Sequence, residues 1–303
     1  MRRAVWLTSR GLMLYAGVEL GGTKCVAILA GGPDDARARE LIPTTSPEET
    51  LERIEQVLLR WKAEHGFGAL GIASFGPVDV DRSSPAFGHV LSTPKPGWTQ
   101  TNVGQRLADA LGVPTTFDTD VNGAALAEMR WGSGRGFDDF AYITVGTGVG
   151  VGLIVDGKPT RGFGHCELGH VRVARPPGED WPGSCPFHGD CVEGLAAGPS
   201  LRARFGDELD HLPPDHPIWD SVAWSLAQLC HVIVCAAAPR RIAIGGGVME
   251  PQPHLLARIQ SNLAESLNGF IQLPDDGDYV RAPELGRDAG PFGAIALPMN
   301  VQR

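Results

Sequence analysis

The chain has 303 residues, 43% of them hydrophobic and 20% charged, an ordinary globular composition and a length sufficient for two domains with separate cores. Its net charge of −9 argues against nonspecific attraction to nucleic acid or an anionic membrane, so an anionic phosphate donor would have to be held by local groups. No run is long and apolar enough to suggest a bilayer span, and the best candidate, residues 229–238, reads as the end of a core helix. Cys25, Cys166, Cys230 and Cys235 lie in or beside apolar runs and read as small core residues, which fits a reducing cytoplasm and implies no disulfide framework.

In chain order, Met1 to Leu12 carry Arg2 and Arg3 ahead of apolar residues but lack a proper hydrophobic region and a small-residue cleavage site, so they read as a leader or tail, with Met13 a candidate start. Tyr15-Ala-Gly-Val-Glu19-Leu then runs as a strand into Gly21-Gly22-Thr23-Lys24, and Cys25-Val-Ala-Ile-Leu-Ala leaves as a second strand. Residues 50–65 have helical periodicity, and 69–76 read as a buried strand. Asp118-Thr119-Asp120-Val121-Asn122 follows a strand at 114–117 and precedes a helix at 123–131. Either aspartate could simply cap that helix, although phosphoryl transfer to an alcohol would also need a carboxylate to take the hydroxyl proton.

The second half repeats the device. A strand from Ala141 enters Gly146-Thr147-Gly148-Val-Gly150, and a strand from Val151 runs to an Asp156-Gly157 hairpin turn. Glycine lets backbone N–H groups approach oxyanions and threonine adds a hydroxyl, so the two turns together suggest a clamp on one triphosphate. Neither is a P-loop or a dinucleotide fingerprint, and each alone is equally a tight hairpin. Glu167-Leu168-Gly169-His170 follows, and then Cys185-Pro-Phe-His188-Gly-Asp-Cys191-Val-Glu193. The C-x2-H-x2-C spacing with His170 as fourth ligand predicts a closed, structural Zn2+ site between two glutamates, with no position left for a reactive metal-bound water. Residues 218–238 read as a helix and 241–247 as a strand ending in Gly245-Gly246-Gly247. A further helix near Pro253 makes a strand-glycine-helix junction suited to adenine or ribose. Alternating strands and helices give an α/β class.

Gly-Val-Glu19-Leu-Gly-Gly-Thr23-Lys24, Ser74-Phe-Gly76-Pro77-Val-Asp79, Thr93-Pro-Lys95-Pro-Gly97-Trp98, Asp118-Thr-Asp120-Val-Asn122, Glu167-Leu-Gly-His170, the cysteine segment and Gly245-Gly-Gly-Val-Met together resemble the fructokinase branch of the ROK (repressor, open reading frame, kinase) family, over nearly the whole chain. The resemblance implies an actin-like ATPase fold of two RNase-H-like lobes with an interdomain cleft. One lobe would span 13–118, with a helix at about 290–303 returning to it, and the other 119–289 with the zinc loop. It implies a cytoplasmic, ATP-dependent hexose kinase, most simply one making fructose 6-phosphate, with Asp120 as general base. Gly76, Pro77, Thr119, Asp120, Glu167, His170 and Glu193 would contact sugar. Gly21, Gly22, Thr23, Lys24, Gly146, Thr147 and Gly148 would hold the phosphates, and Gly245, Gly246 and Gly247 the adenosine.

His170, Cys185, His188 and Cys191 would hold Zn2+, with His170 using its other ring nitrogen toward sugar. Mg2+ would arrive with ATP, and the assembly would be a homodimer. Thr119 stands where many ROK glucokinases have Asn and Glu19 where they have Asp; both resemble the fructokinase branch, but the first removes an amide from the sugar pocket, so glucose, mannose or an N-acylated hexosamine stay open as acceptors. A sugar-responsive repressor of the same family would need an N-terminal helix-turn-helix, and a zinc hydrolase an open coordination position.

Overall fold

The computed structural model describes residues 13–176, 178–274 and 277–301, so the leader assigned to Met1–Leu12 and the last two residues of the helix expected to 303 lie outside the described residues. The chain divides into two compact units, residues 1–120 with 290–303, and residues 121–289.

In the first unit, β1 (Tyr15–Leu20) and β2 (Lys24–Ala30) form the hairpin that carries the Gly21–Lys24 turn, and β3 (Ala36–Pro43) extends it. Helix α1 (Pro47–Glu64) starts earlier than its apolar periodicity alone suggests. Ser46 caps it by accepting from the Glu49 N–H at 3.4 Å, and Pro47 supplies a preset first helical residue. Its Leu51, Ile54, Leu58 and Trp61 form one buried stripe at 3- and 4-residue spacing, and burying each side chain contributes roughly 1.5–3 kcal/mol.

Next come β4 (Ala69–Ser74), the short pair β5 (His89–Val90) and β6 (Thr101–Asn102), α2 (Gly104–Leu111) and β7 (Thr115–Thr119). The sheet order is β3-β2-β1-β4-β7, with β1, β4 and β7 parallel.

Helix α3 (Asp120–Trp131) begins directly at the end of β7. The polar segment expected as a loop between strand and helix is therefore absent: β7 runs two residues further than read, and Asp120 is itself the first helical residue.

The second unit repeats the sheet. Strands β8 (Phe140–Val145), β9 (Val149–Val155) and β10 (Lys158–Pro159) form a meander, Asp156 and Gly157 turning between the last two with φ of 52° and 70°. Helices α4 (Val192–Ala196), α5 (Gly198–Phe205) and α6 (Ile218–Ala237) follow, then β11 (Ile242–Gly245), α7 (Leu255–Leu267) and β12 (Val280–Arg281). The order β10-β9-β8-β11-β12 matches the first sheet position for position.

Helix α6 has the length and hydropathy of a membrane span, but Val222, Leu226, Leu229, Cys230 and Ile233 are buried in the core of this unit. Burial pushes the Cys230 thiol up to about 12. Cys235, read as a core residue, is instead exposed on the last turn of that helix, and Cys166 is only partly buried.

Helix α8 (Ala289–Val301) carries the chain back to the first unit and is buried along most of its length. Glycine makes its seat. Gly17 of β1 and Gly71 of β4 are direct neighbours in register, and a Cβ on Gly71 would stand 1.8 Å from the Ala294 carbonyl oxygen. Any side chain there would lift the helix off the sheet.

Candidate functional site

In the first unit, three of the segments singled out from the sequence end adjacent parallel strands. Leu20, Ser74 and Thr119 stand level across β1, β4 and β7, so Gly21, Phe75-Gly76-Pro77 and Asp120 all lie just past the carboxyl ends, where open α/β sheets take their ligands. The Phe75 N–H donates to the Leu20 carbonyl at 2.8 Å and ties two of these ends together. The Gly76–Pro77 bond is cis, and the Pro77 carbonyl accepts from the Leu91 N–H at 2.8 Å. Thr119 is 3% exposed, its N–H on Asp118 Oδ1 at 2.8 Å, while Asp120 is half-buried at the start of α3.

The Gly21–Lys24 turn exposes Gly22, Thr23 and Lys24 and is braced from outside by residues that spacing did not single out. Thr44 donates its hydroxyl to the Gly21 carbonyl at 2.7 Å and its N–H to the Thr23 carbonyl at 3.0 Å. The Lys95 ammonium donates to the Gly22 carbonyl. Beneath the turn, burial raises the Cys25 thiol above its usual value, with Glu19 adding to the shift and Thr44 and Lys95 opposing it, so this cysteine is a neutral packing residue.

In the second unit, β8 and β11 are parallel neighbours that end at Val145 and Gly245. The Val248 N–H donates to the Val145 carbonyl at 3.0 Å, which brings the Gly146–Gly148 turn and the Gly245–Gly247 cluster side by side. Gly146 donates to the Gly148 carbonyl at 2.9 Å and accepts from Gly198 at 2.8 Å, and Thr147 is exposed. The helix expected near Pro253 begins at Leu255, and between it and the glycines lies a turn anchored on the Gly246 carbonyl, which accepts from Met249 and Glu250 at 3.0 Å each.

The four metal-type residues converge. One ligand atom each from His170, Cys185, His188 and Cys191 lies within 4.8 Å of all the others. His170 Nδ1 is 3.7 Å from both Cys185 Sγ and Cys191 Sγ, and His188 Nδ1 is 3.7 Å from Cys185 Sγ. Zinc at about 2.3 Å from sulfur and 2.0–2.1 Å from nitrogen would place tetrahedral S and N ligands about 3.5–3.6 Å apart, so the donor set fits that ion in type and spacing. Burial pushes the Cys191 thiol up to about 11, with the neighbouring Cys185 adding to it; a thiolate pair here calls for a bound cation.

Local structure delivers each ligand. The Cys185–Gly189 loop closes on itself through paired backbone bonds of 3.1 and 2.9 Å. His170 ends a 3-10 turn, Leu168–His170, whose Gly169 packs so tightly on β9 that a Cβ would meet the Val149 carbonyl oxygen at 1.8 Å. With Nδ1 facing the thiols, Nε2 of His170 is left for another partner.

The two glutamates differ. Glu193, on α4, accepts the Val149 N–H through Oε2 at 3.1 Å, and its Oε1 lies 4.0 Å from His170 Nδ1, so it links the Cys/His cluster to the end of the second glycine turn. Glu167 is 48% exposed, with Oε1 3.5 Å from His165 Nδ1. Asp190, between the last two ligands, is held below the usual carboxylate range by the Arg175 guanidinium at 3.0 Å.

Comparison with known proteins agrees with this layout. The chain is 40% identical over 294 residues to the fructokinase of Zymomonas mobilis, covering 95% of this chain and 97% of that one. In structure it resembles the ROK hexokinase of Thermus thermophilus, with a TM-score of 0.75 and 26% identity over 96% of this chain and 99% of that one. It also resembles a ROK glucokinase of Streptomyces griseus solved with glucose and AMPPNP, with a TM-score of 0.73 and 25% identity over 96% and 100%. The paired five-stranded sheets are those of the actin-like ATPase fold. Residues 15–300 match the model of the ROK family, and the chain belongs to that family.

Proposed function

We propose that the chain is an ATP-dependent hexose kinase that phosphorylates fructose at its 6-hydroxyl, with Asp120 as general base. The observation that carries the chemistry is the alignment of Gly21, Gly76 and Asp120 past the ends of three adjacent parallel strands. A phosphate turn, an acceptor-binding segment and a carboxylate are thereby held by one rigid sheet edge. Likeness to a fructokinase over nearly the whole length supports fructose as acceptor.

In the reaction the sugar hydroxyl oxygen forms a bond to the γ-phosphorus as its proton passes to the Asp120 carboxylate. The bond from that phosphorus to the bridging oxygen breaks, and ADP leaves with the electron pair. The exposed residues Gly22 and Thr23 would offer backbone N–H groups and the Thr23 hydroxyl to phosphate, and the exposed Thr147 would offer its hydroxyl. Magnesium bound with ATP would neutralise phosphate charge. Zinc held by His170, Cys185, His188 and Cys191 would fix the ring plane and tautomer of His170, whose Nε2–H then donates to a sugar oxygen beside Glu167 and Glu193.

A panel of fructose, glucose, mannose and N-acylated hexosamines with ATP, followed through ADP release, tests the reading. The highest kcat/KM should fall on fructose, with the product phosphorylated at the 6-position. A wide preference for glucose or mannose would overturn the acceptor, and ADP release with none of them would overturn the kinase.

A further inference from the structure

We infer that Lys95 is a catalytic residue of the phosphoryl transfer, its ammonium donating to the oxygens of the transferring group. The inference rests on the reading of Gly21–Lys24 as a phosphate turn. Lys95 lies far from that turn in sequence, yet its ammonium sits on the turn's tip, on the Gly22 carbonyl, its one hydrogen-bond partner among the described residues. A lysine ammonium has three donors, so two remain for a ligand.

The loop that presents it is built to hold still. Pro94 and Pro96 flank Lys95 and fix the backbone on either side. Trp98, fully buried, donates its indole N–H to the Thr45 carbonyl at 2.9 Å, next to the Thr44 that braces the turn. The same indole meets Phe75 edge-on, ring centroids 5.4 Å apart. Phe75 immediately precedes Gly76 and Pro77. The loop of Lys95 is thus anchored to the phosphate turn on one side and to the proposed acceptor segment on the other, which is where a group passing from ATP to the sugar must travel. A long, flexible side chain ordinarily loses rotamer entropy on being fixed, and a carbonyl at an exposed turn could be satisfied by water. Bracing that carbonyl is a small return for such an anchored loop, whereas a fixed cation beside the phosphoryl group in transit lowers the barrier directly by stabilising transition-state charge.

The test compares Lys95→Met and Lys95→Arg in the full chain, with Thr23→Val as control. Steady-state kinetics are combined with calorimetric binding of ATP and of ADP. Lys95→Met should lower kcat about 10²- to 10³-fold, the range for losing one preorganised donor, and weaken ATP more than ADP. Lys95→Arg, which keeps the charge, should recover most of kcat. If Lys95→Met keeps kcat while Thr23→Val weakens both nucleotides, the phosphate turn stands and the Lys95 assignment falls. Equal weakening of ATP and ADP by Lys95→Met with kcat intact would likewise make it a mere turn brace. If Thr23→Val changes neither nucleotide's affinity, the phosphate reading fails, and the inference fails with it.

Discussion

The turn Gly21–Lys24 and the turn Gly146–Gly148 occupy the same place in two sheets of identical order, yet they are held by different means. The first is braced by side chains: a threonine hydroxyl on Gly21, a lysine on Gly22, and behind them an indole sunk in the apolar core. The second is braced by the backbone of Gly198 and by Glu193, whose other oxygen faces His170 of the Cys/His cluster. A repeated topology therefore fixes where a loop emerges, while the means of holding it can diverge. In the first unit that means is side-chain hydrogen bonds backed by hydrophobic packing; in the second it includes a carboxylate beside the clustered cysteines and histidines.

The sharpest way to probe this contrast is through the carboxylates. Asp120 in the first unit is assigned the proton transfer, and Glu193 in the second a place beside the sugar and a brace on the turn. Asp120→Asn should cut kcat by roughly 10²- to 10⁴-fold with little change in fructose KM. Near-native turnover would remove Asp120 from the mechanism.

Next in size is the metal. Cys191→Ser should reduce zinc to well below one ion per chain by elemental analysis and raise the fructose KM about 10- to 100-fold, while leaving the first unit's packing intact. A variant that loses the ion yet binds fructose normally would show that the cluster does not organise the pocket. A wild-type protein that carries no metal would dissolve the contrast altogether. Glu193→Gln keeps an acceptor for the Val149 N–H but loses its charge, which is about 1 kcal/mol or about a 5-fold rise in KM. A kcat loss matching that of Asp120→Asn would merge the two roles.

The smallest effects separate the turns themselves. Thr23→Val and Thr147→Val each remove one hydroxyl at nearly constant shape, and each should raise the ATP KM about 5- to 10-fold with fructose KM unchanged. Equal effects on both substrates would argue for ordinary hairpins.

The sequence carried the features that repeat locally. Glycine clusters between apolar runs marked both turns, and C-x2-H-x2-C marked three ligands that do converge with His170. Long-range features were not legible. Nothing in the spacing of Lys95 reveals that it reaches Gly22, and nothing near Glu193 reveals that it accepts from Val149, because both depend on how distant strands register. The start of α3 was misplaced because Asp and Asn ordinarily favour caps, whereas here β7 passes straight into the helix. Cys235 was misread because an apolar run on a long helix does not say which face meets the core.

The seat that Gly17 and Gly71 make for α8 has a consequence for synthesis on the ribosome. The strands of the first sheet emerge early, but the helix that covers them comes only after the whole of Val121–Ala289 has been made. The second unit is continuous in the chain and can close as it is translated, whereas the first must wait with one face of its sheet bare. A released chain truncated after Ala289 should thus bind chaperones and yield to protease within residues 13–120 while 121–289 resists, and the full chain should show no such difference.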